Sequence, residues 1–321
     1  MRAITCLGSI VFSLAATGAV QSAVLRVAGD SATATVRVFD GSTPSATFAD
    51  ATNMSVQLGS VTADAVGNRA FFVGNSAGLQ SLYQLNYTSA GQALPQVLDP
   101  VYRITHLEWD SGGSPRLLGV AINTSDDTVR LISIVGNTVT DLGMPIANCC
   151  VFRSGVSAFR STDDSLYLIG RRSTDTQDQF FRFTMNPPAL AQSVAIPPDL
   201  SVNEIVVNAS GSVLGLAYSA VAEVTLLFGT DAALNISTLG SGMSDCCFVM
   251  AGASALDANN NRLITLGPGI AGLAFNPPRL WSFTLGTGAI SDGMTPFIAA
   301  GLFVDNTSIL DAGVLFGDGF E

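Results

Sequence analysis

The chain of 321 residues contains no lysine; all 14 of its basic residues are arginine. That absence removes Schiff-base chemistry and the phosphate-gripping lysine of a P-loop. Histidine is nearly missing as well, since His106 stands alone. Zinc sites usually draw on several His or Cys ligands, and a Ser-His or Cys-His site would have to be built on His106. Charged residues make up 12% of the chain, about half the roughly 25% usual in soluble domains. Set beside 48% hydrophobic residues, this excludes intrinsic disorder. The net charge is −11 and the only adjacent basic pair is Arg171-Arg172. No basic footprint exists for nucleic acid or for an anionic membrane surface.

Long apolar runs are also scarce. After the N-terminus, the uncharged stretch from Ile205 to Ala222 is broken by Asn208-Ala209-Ser210-Gly211-Ser212. That reads as a turn between two short strands and leaves no transmembrane helix in the mature chain. At the N-terminus itself, Met1-Arg2 is followed by an apolar segment from Ala3 to Ala16 and then by Thr17-Gly18-Ala19-Val20-Gln21-Ser22-Ala23. This is the layout of a signal peptide over residues 1–23. The expected location is secreted, periplasmic or on the cell surface.

Cys6 leaves with that leader, and the mature chain keeps Cys149-Cys150 and Cys246-Cys247. An even count in an exported protein suggests oxidised cysteines. The two pairs occupy matching places far apart around the expected ring, so each is expected to close on itself as a vicinal disulfide.

Short apolar runs alternate with Gly, Asn and Asp clusters along the whole chain, and no stretch holds a helical period for three turns. Examples are Leu117 to Ile122, Val129 to Val135, Leu166 to Ile169 and Leu263 to Leu266. The reading is all-β, built of hairpins. The chain also repeats itself. Asp164-Ser165-Leu166-Tyr167-Leu168-Ile169-Gly170 matches Asn261-Arg262-Leu263-Ile264-Thr265-Leu266-Gly267 at an offset of 97. An earlier copy runs from Gly67 to Gly74, and a later strand recurs as Tyr83-Gln84-Leu85, Phe181-Arg182-Phe183 and Trp281-Ser282-Phe283. A second unit lies between these copies: Glu108 with Leu118-Gly119-Val120-Ala121 matches Glu204 with Leu214-Gly215-Leu216-Ala217 at an offset of 96. Half the repeat, about 48 residues, is the length of one four-stranded propeller blade.

The expectation is therefore a single β-propeller over residues 24–321, with blades at 52–101, 102–147, 148–199, 200–244 and 245–293. A sixth would be assembled from 294–321 and 24–51, which protects the sheet edges where the ring meets itself. This pattern resembles the kelch-like and related β-propellers of secreted bacterial proteins. The C-terminal Phe316-Gly317-Asp318-Gly319-Phe320-Glu321 resembles a short Phe-x-Asp-Gly-Phe-Glu tail of Gram-negative secreted proteins. A rival architecture is the outer-membrane β-barrel. Two Trp and five Tyr are few for its aromatic girdles.

Chemistry has few places to reside. Glu108 and Glu204, two of four glutamates, hold matched repeat positions. They are the candidate catalytic residues of a carbohydrate-active hydrolase or lyase, which would need the two carboxyl groups to converge. Otherwise they cap strands or pair with arginine. His106, Glu108 and Asp110 alternate on one strand and so share a face. With Glu204 they are the candidate ligand-binding residues, or else part of a solvated outer face. Aspartate-rich turns such as Ser125-Asp126-Asp127-Thr128 could hold Ca²⁺, but none matches a calcium-loop motif. No metal site and no cofactor is expected. The first functional expectation is a non-enzymatic binding module whose partner is a protein or a glycan.

Overall fold

The computed structural model describes residues 25–294 except 31–34, 41–42, 50–54, 65–66, 68, 77–78, 87–93, 113–114, 147–148, 209, 245–253, 258–260 and 268–278. Among the described residues the chain is all-β and folds into separate antiparallel sheets. The first holds three strands, β1 (Leu25–Asp30), β2 (Thr35–Asp40) and β3 (Thr43–Ala49). Five sheets of four strands follow. They comprise β4 (Ser55–Asp64) to β7 (Leu94–Val97), β8 (Tyr102–Asp110) to β11 (Thr138–Gly143), and β12 (Val151–Arg160) to β15 (Pro188–Ala195). The last two are β16 (Leu200–Val207) to β19 (Ile236–Ser244) and β20 (Ser254–Asp257) to β23 (Ile290–Met294). The intervening strands are β5 (Arg69–Ser76), β6 (Leu79–Asn86), β9 (Arg116–Asn123), β10 (Thr128–Val135), β13 (Ser165–Arg171), β14 (Gln179–Met185), β17 (Val213–Ser219), β18 (Val224–Thr230), β21 (Arg262–Gly267) and β22 (Arg279–Thr284).

Each four-stranded sheet is a simple meander, and its first strand packs beside the first strand of the next: β4 with β8, β8 with β12, β12 with β16, β16 with β20. First strands gathered at the centre of successive meanders are the arrangement of propeller blades. They are separate sheets, not the one continuous closed sheet that a barrel requires. The barrel alternative is corrected on that ground.

The core lies between sheets, and this explains why the strands are apolar runs instead of alternating ones. Leu117 packs toward the preceding sheet with Phe71, Leu82 and Ile134, while Leu118 packs toward the following one with Leu166 and Phe183. Leu168 and Ile169 divide in the same way, as do Phe180 and Phe181, Leu216 and Ala217, and Leu227 and Phe228. A sheet covered on both faces needs apolar residues at both parities. The turns follow their local chemistry. Asp127, Asp164 and Asn261 take positive φ just before a strand begins, a conformation Asp and Asn tolerate best after Gly.

Four-strand meanders place their turns on two rims. The near rim carries the links from fourth to first strands and the turns between second and third. The far rim carries the other turns.

Candidate functional site

The polar residues singled out from the sequence lie on the central strands and mostly join one sheet to the next. On β8 an extra residue, Thr105, makes a bulge between Ile104 and His106. The bulge leaves Ile104, Leu107 and Trp109 facing the preceding sheet. His106, Glu108 and Asp110 face β12. The bulge needs Gly119 opposite it, because a Cβ there would collide with the His106 carbonyl.

His106 is wholly buried against the edge of Phe152. Its Nε2 lies 2.7 Å from the Arg153 carbonyl of β12, so the proton sits on Nε2 and is donated there. Nδ1 is 3.0 Å from Thr105 Oγ1. Burial lowers the His106 pKa to about 4, against a smaller upward pull from the Arg153 carbonyl, and keeps the ring neutral. Arg153 continues the ladder. Its guanidinium donates to Asp178 Oδ2 at 2.7 Å and, across the next seam, to Ser201 Oγ at 2.7 Å and the Val202 carbonyl at 3.2 Å.

Glu108 accepts a hydrogen bond from Ser157 Oγ of β12 at 2.6 Å. The residue keeps partial solvent contact, yet desolvation of its carboxyl raises the pKa to about 7 against the opposing Ser157 bond. A carboxyl that is half protonated at neutral pH can donate as well as accept.

Asp110 is buried and structural. It accepts from Gly112 N at 2.8 Å and pairs with Arg116, which reaches on to Asp164 of the next sheet at 3.2 Å. Asp64 repeats the device with Gly67 N and Arg69. Arg69 in turn lies over the stacked rings of Phe71 and Trp109, a far-rim cluster that the sequence patterns did not reveal. These contacts correct the expectation of a solvated outer face: His106 and Asp110 are buried between sheets.

Glu204 is not the counterpart of Glu108. In β16 the bulge falls at Asn203, Glu204 pairs with Leu216, and the carbonyl of Glu204 is the one that excludes a Cβ at Gly215. That is the place of His106, which pairs with Val120 opposite Gly119. The counterpart of Glu108 is Val206, which packs toward the fifth four-stranded sheet. Glu108 therefore faces β12, whereas buried Glu204, on the face of Val206, looks away from β12 toward the last described sheet. The matched glutamates belong to different seams.

Cys149 and Cys150 lie on the near rim just before β12, with their sulfur atoms brought together as a vicinal pair. Both pack in the apolar core between the second and third four-stranded sheets, and Cys150 is buried. Cys246 and Cys247 lie outside the described residues. Among those described, no three His, Cys, Asp or Glu side chains gather as a metal site. Asp126 is hydrogen-bonded by Thr128 and paired with Arg130, and Asp163 is paired with Arg160 and Arg182. Arginine and turn donors already satisfy those carboxylates. No described helix is long and apolar enough to cross a membrane.

Exposed apolar side chains favour one rim. Leu79, Val97, Val151 and Val221 are at least half exposed and all lie on the near rim; Val135 is on the far rim. Asp99, Asp126, Asp127 and Glu223 are exposed on the near rim too, alongside Arg103 and Arg171.

No protein-family model matches the chain. No curated protein matches it in sequence. Among solved structures it is similar to a puromycin-hydrolyzing peptidase of Mycobacterium tuberculosis, with 13% identity and a TM-score of 0.53 over 89% of this chain and 45% of that one. The chain thus spans less than half of the peptidase. It is also similar to the β-propeller domain of Myceliophteria thermophila Cps50 (Swd1), with 11% identity and a TM-score of 0.48 over 83% and 92% of the two chains. The Dos1 propeller matches at 12% identity and 0.45 over 91% and 74%. At these identities the likeness to the peptidase is one of fold and carries none of its activity.

Proposed function

We propose that the chain is an exported six-bladed β-propeller that acts as a binding module for a protein partner. Residues 1–23 are its leader, residues 24–321 are one domain, and its last blade is built from both termini. Its blades are related to the kelch type, and its tail is of the Gram-negative exported kind. The observation that carries the binding role is the gathering of Leu79, Val97, Val151 and Val221 on one rim. Isolated exposed apolar residues are ordinary, but several on one rigid rim mark a surface suited to a partner. The surrounding exposed carboxylates outnumber the arginines, so the fitting partner presents apolar and basic side chains. The arginine and histidine ladder between sheets keeps that rim rigid.

The test uses the folded chain as bait in an extract of its own host. Each protein retained is then purified and its affinity measured against wild type and Val151→Ser/Val221→Ser. The expected result is a direct, salt-sensitive interaction weakened at least tenfold by the double variant. Equal affinity in the variant, or binding only to a glycan panel, overturns the reading.

A second reading, a glycan hydrolase or lyase, is favoured by one observation: Glu108 lies on a central strand where burial pushes its carboxyl pKa up to about 7, the range that suits a general acid. Because Glu204 faces another seam, Glu108 would act without it. Turnover in a glycoside screen that Glu108→Gln abolishes and Glu204→Gln preserves would establish this.

A further inference from the structure

We infer that the turn Ala220–Glu223 is the part of the near rim that enters the partner, with Val221 seated in an apolar pocket and Glu223 paired with a lysine or arginine beside it. The inference deepens the proposed binding role and rests on it.

Two turns of the same build stand on the near rim. The β9–β10 hairpin closes on the pair Asn123 and Thr128, and the β17–β18 hairpin closes on Ser219 and Val224, so each turn has four residues. Each is tied by its first amide to the link that enters its own sheet. Thr124 N donates to the Val101 carbonyl at 2.8 Å, and Ala220 N donates to the Asp199 carbonyl at 2.9 Å. Each ends in the left-handed region, at Asp127 with φ 53° and at Glu223 with φ 54°.

The backbones correspond and the side chains do not. Thr124-Ser125-Asp126-Asp127 follows turn chemistry. Asp126 accepts from the Thr128 amide and pairs with Arg130, and Thr124 Oγ1 donates to the Pro100 carbonyl. Ala220-Val221-Ala222-Glu223 keeps none of this. Three of its side chains carry no polar atom, and support comes from the flanking Ser219, whose Oγ accepts from Ala222 N at 3.2 Å. Glutamate also suits the left-handed region less well than aspartate or asparagine. Val221, 83% exposed, is the most exposed large apolar side chain among the described residues. Turn chemistry and solvation both weigh against this sequence as a folding device. Local rules broken without a structural return mark functional sites.

Charge identifies what covers the turn. The fourth four-stranded sheet, Leu200–Ser244, holds Glu204, Glu223 and Asp231 but no arginine, whereas each of the other four-stranded sheets carries at least one. Glu204 is buried and Asp231 is bonded by Asn235. The Glu223 side chain is exposed and forms no ion pair or hydrogen bond among the described residues. Asp199, at the foot of the turn, adds a further negative charge. This field repels an anionic bilayer and favours a protein that is basic around its apolar pocket.

The test uses the full chain in its own host, with a benzophenone side chain placed at Val221 and, as control, at Ser125. The expected result is a protein adduct from position 221 stronger than any from 125. That protein is then purified and its affinity measured. Rewriting the turn as its counterpart, by Ala220→Thr, Val221→Ser, Ala222→Asp and Glu223→Asp, should keep or raise Tm and weaken binding about tenfold or more. Glu223→Asn, which suits the left-handed backbone, should weaken binding several-fold and flatten its salt dependence. A lower Tm for the rewritten turn makes the apolar tip a folding device and overturns the inference. Equal affinity of the rewritten turn, with Val151→Ser weakened, overturns it while leaving the binding role of the rim intact; equal affinity in both overturns both. An adduct at dimer mass makes a second copy the occupant, and no adduct from 221 removes the anchor; either result overturns the inference.

Discussion

Replacing Glu108 by Gln should change how stability depends on pH, in a way that wild type conceals. Two groups on one face of β8 shift in opposite directions. His106 falls from 6.5 to about 4 and Glu108 rises from 4.5 to about 7. A depressed pKa gives stability that is complete above 6.5 and lost as pH falls toward 4. A raised carboxyl pKa gives stability that is complete below 4.5 and lost as pH rises through 7. Between 4.5 and 6.5 the unfolded chain holds imidazolium and carboxylate, while the folded one holds imidazole and carboxylic acid. Proton counts are equal, so the pair contributes no slope there. Glu108→Gln removes one side of the balance. Relative to wild type, the variant should gain stability steadily as pH rises from 4.5 to 7 and then level off. The shift corresponds to about 3 kcal/mol at ~1.4 kcal/mol per pH unit, reduced by the solvent that still reaches this residue. His106→Gln, which keeps a donor for the Arg153 carbonyl, should do the opposite and lose its deficit as pH falls. Urea unfolding at half-unit pH steps reads both differences. A pH-independent difference for Glu108→Gln would refute the assignment of a buried neutral carboxyl.

Further outcomes are expected elsewhere. Gly119→Ala and Gly215→Ala should each destabilise by about 1–3 kcal/mol, since the new methyl group meets the carbonyl of the opposing bulge; a thermal melt unchanged in both would contradict the bulge register. Arg116→Ala should cost a similar amount, about 1–3 kcal/mol, by stripping buried Asp110 of its partner and unlinking Asp164. The added variant Asp110→Asn should recover part of that loss. Non-reducing peptide mapping should find Cys149 bonded to Cys150 and Cys246 to Cys247, and a peptide joining the two regions would rule this out. Protein recovered from outside the cytoplasm should begin at Ala23 or Val24 by intact mass.

The all-β class and the propeller pattern were legible because hairpin turns and apolar runs are local signals. The repeated third-strand motifs fall on equivalent strands, with Tyr83 on β6, Phe181 and Phe183 on β14, and Trp281 and Phe283 on β22, all buried. The site was harder to read. Linear offset aligned Glu108 with Glu204, but the β8–β9 hairpin runs one pair further, Asp110 with Arg116, than the β16–β17 hairpin, so the central strands match at an offset of 98 while their partners match at 96. Insertions in a hairpin leave residue spacing intact on each side and slip the alignment without any mark in composition. Nor could alternation alone say that the His106 face would be buried. It identifies which residues share a face, whereas the packing of the next sheet decides whether that face is wet.

Most of the side-chain bonds that join neighbouring sheets span about one sheet's length of chain. Five of them illustrate it: His106 reaches Arg153, Glu108 reaches Ser157, Trp109 reaches Thr62, Arg116 reaches Asp164 and Arg153 reaches Ser201, each 47–49 residues along the chain, while Gln80 reaches Ile104 over 24 and Arg160 reaches Gly211 over 51. A chain that emerges from one end can therefore complete each of these seams as soon as one further sheet has appeared. Loop-closure entropy is set by a single sheet's length and does not grow with the number of sheets. Such a molecule can assemble vectorially, each finished sheet offering a ready surface for the next to condense on.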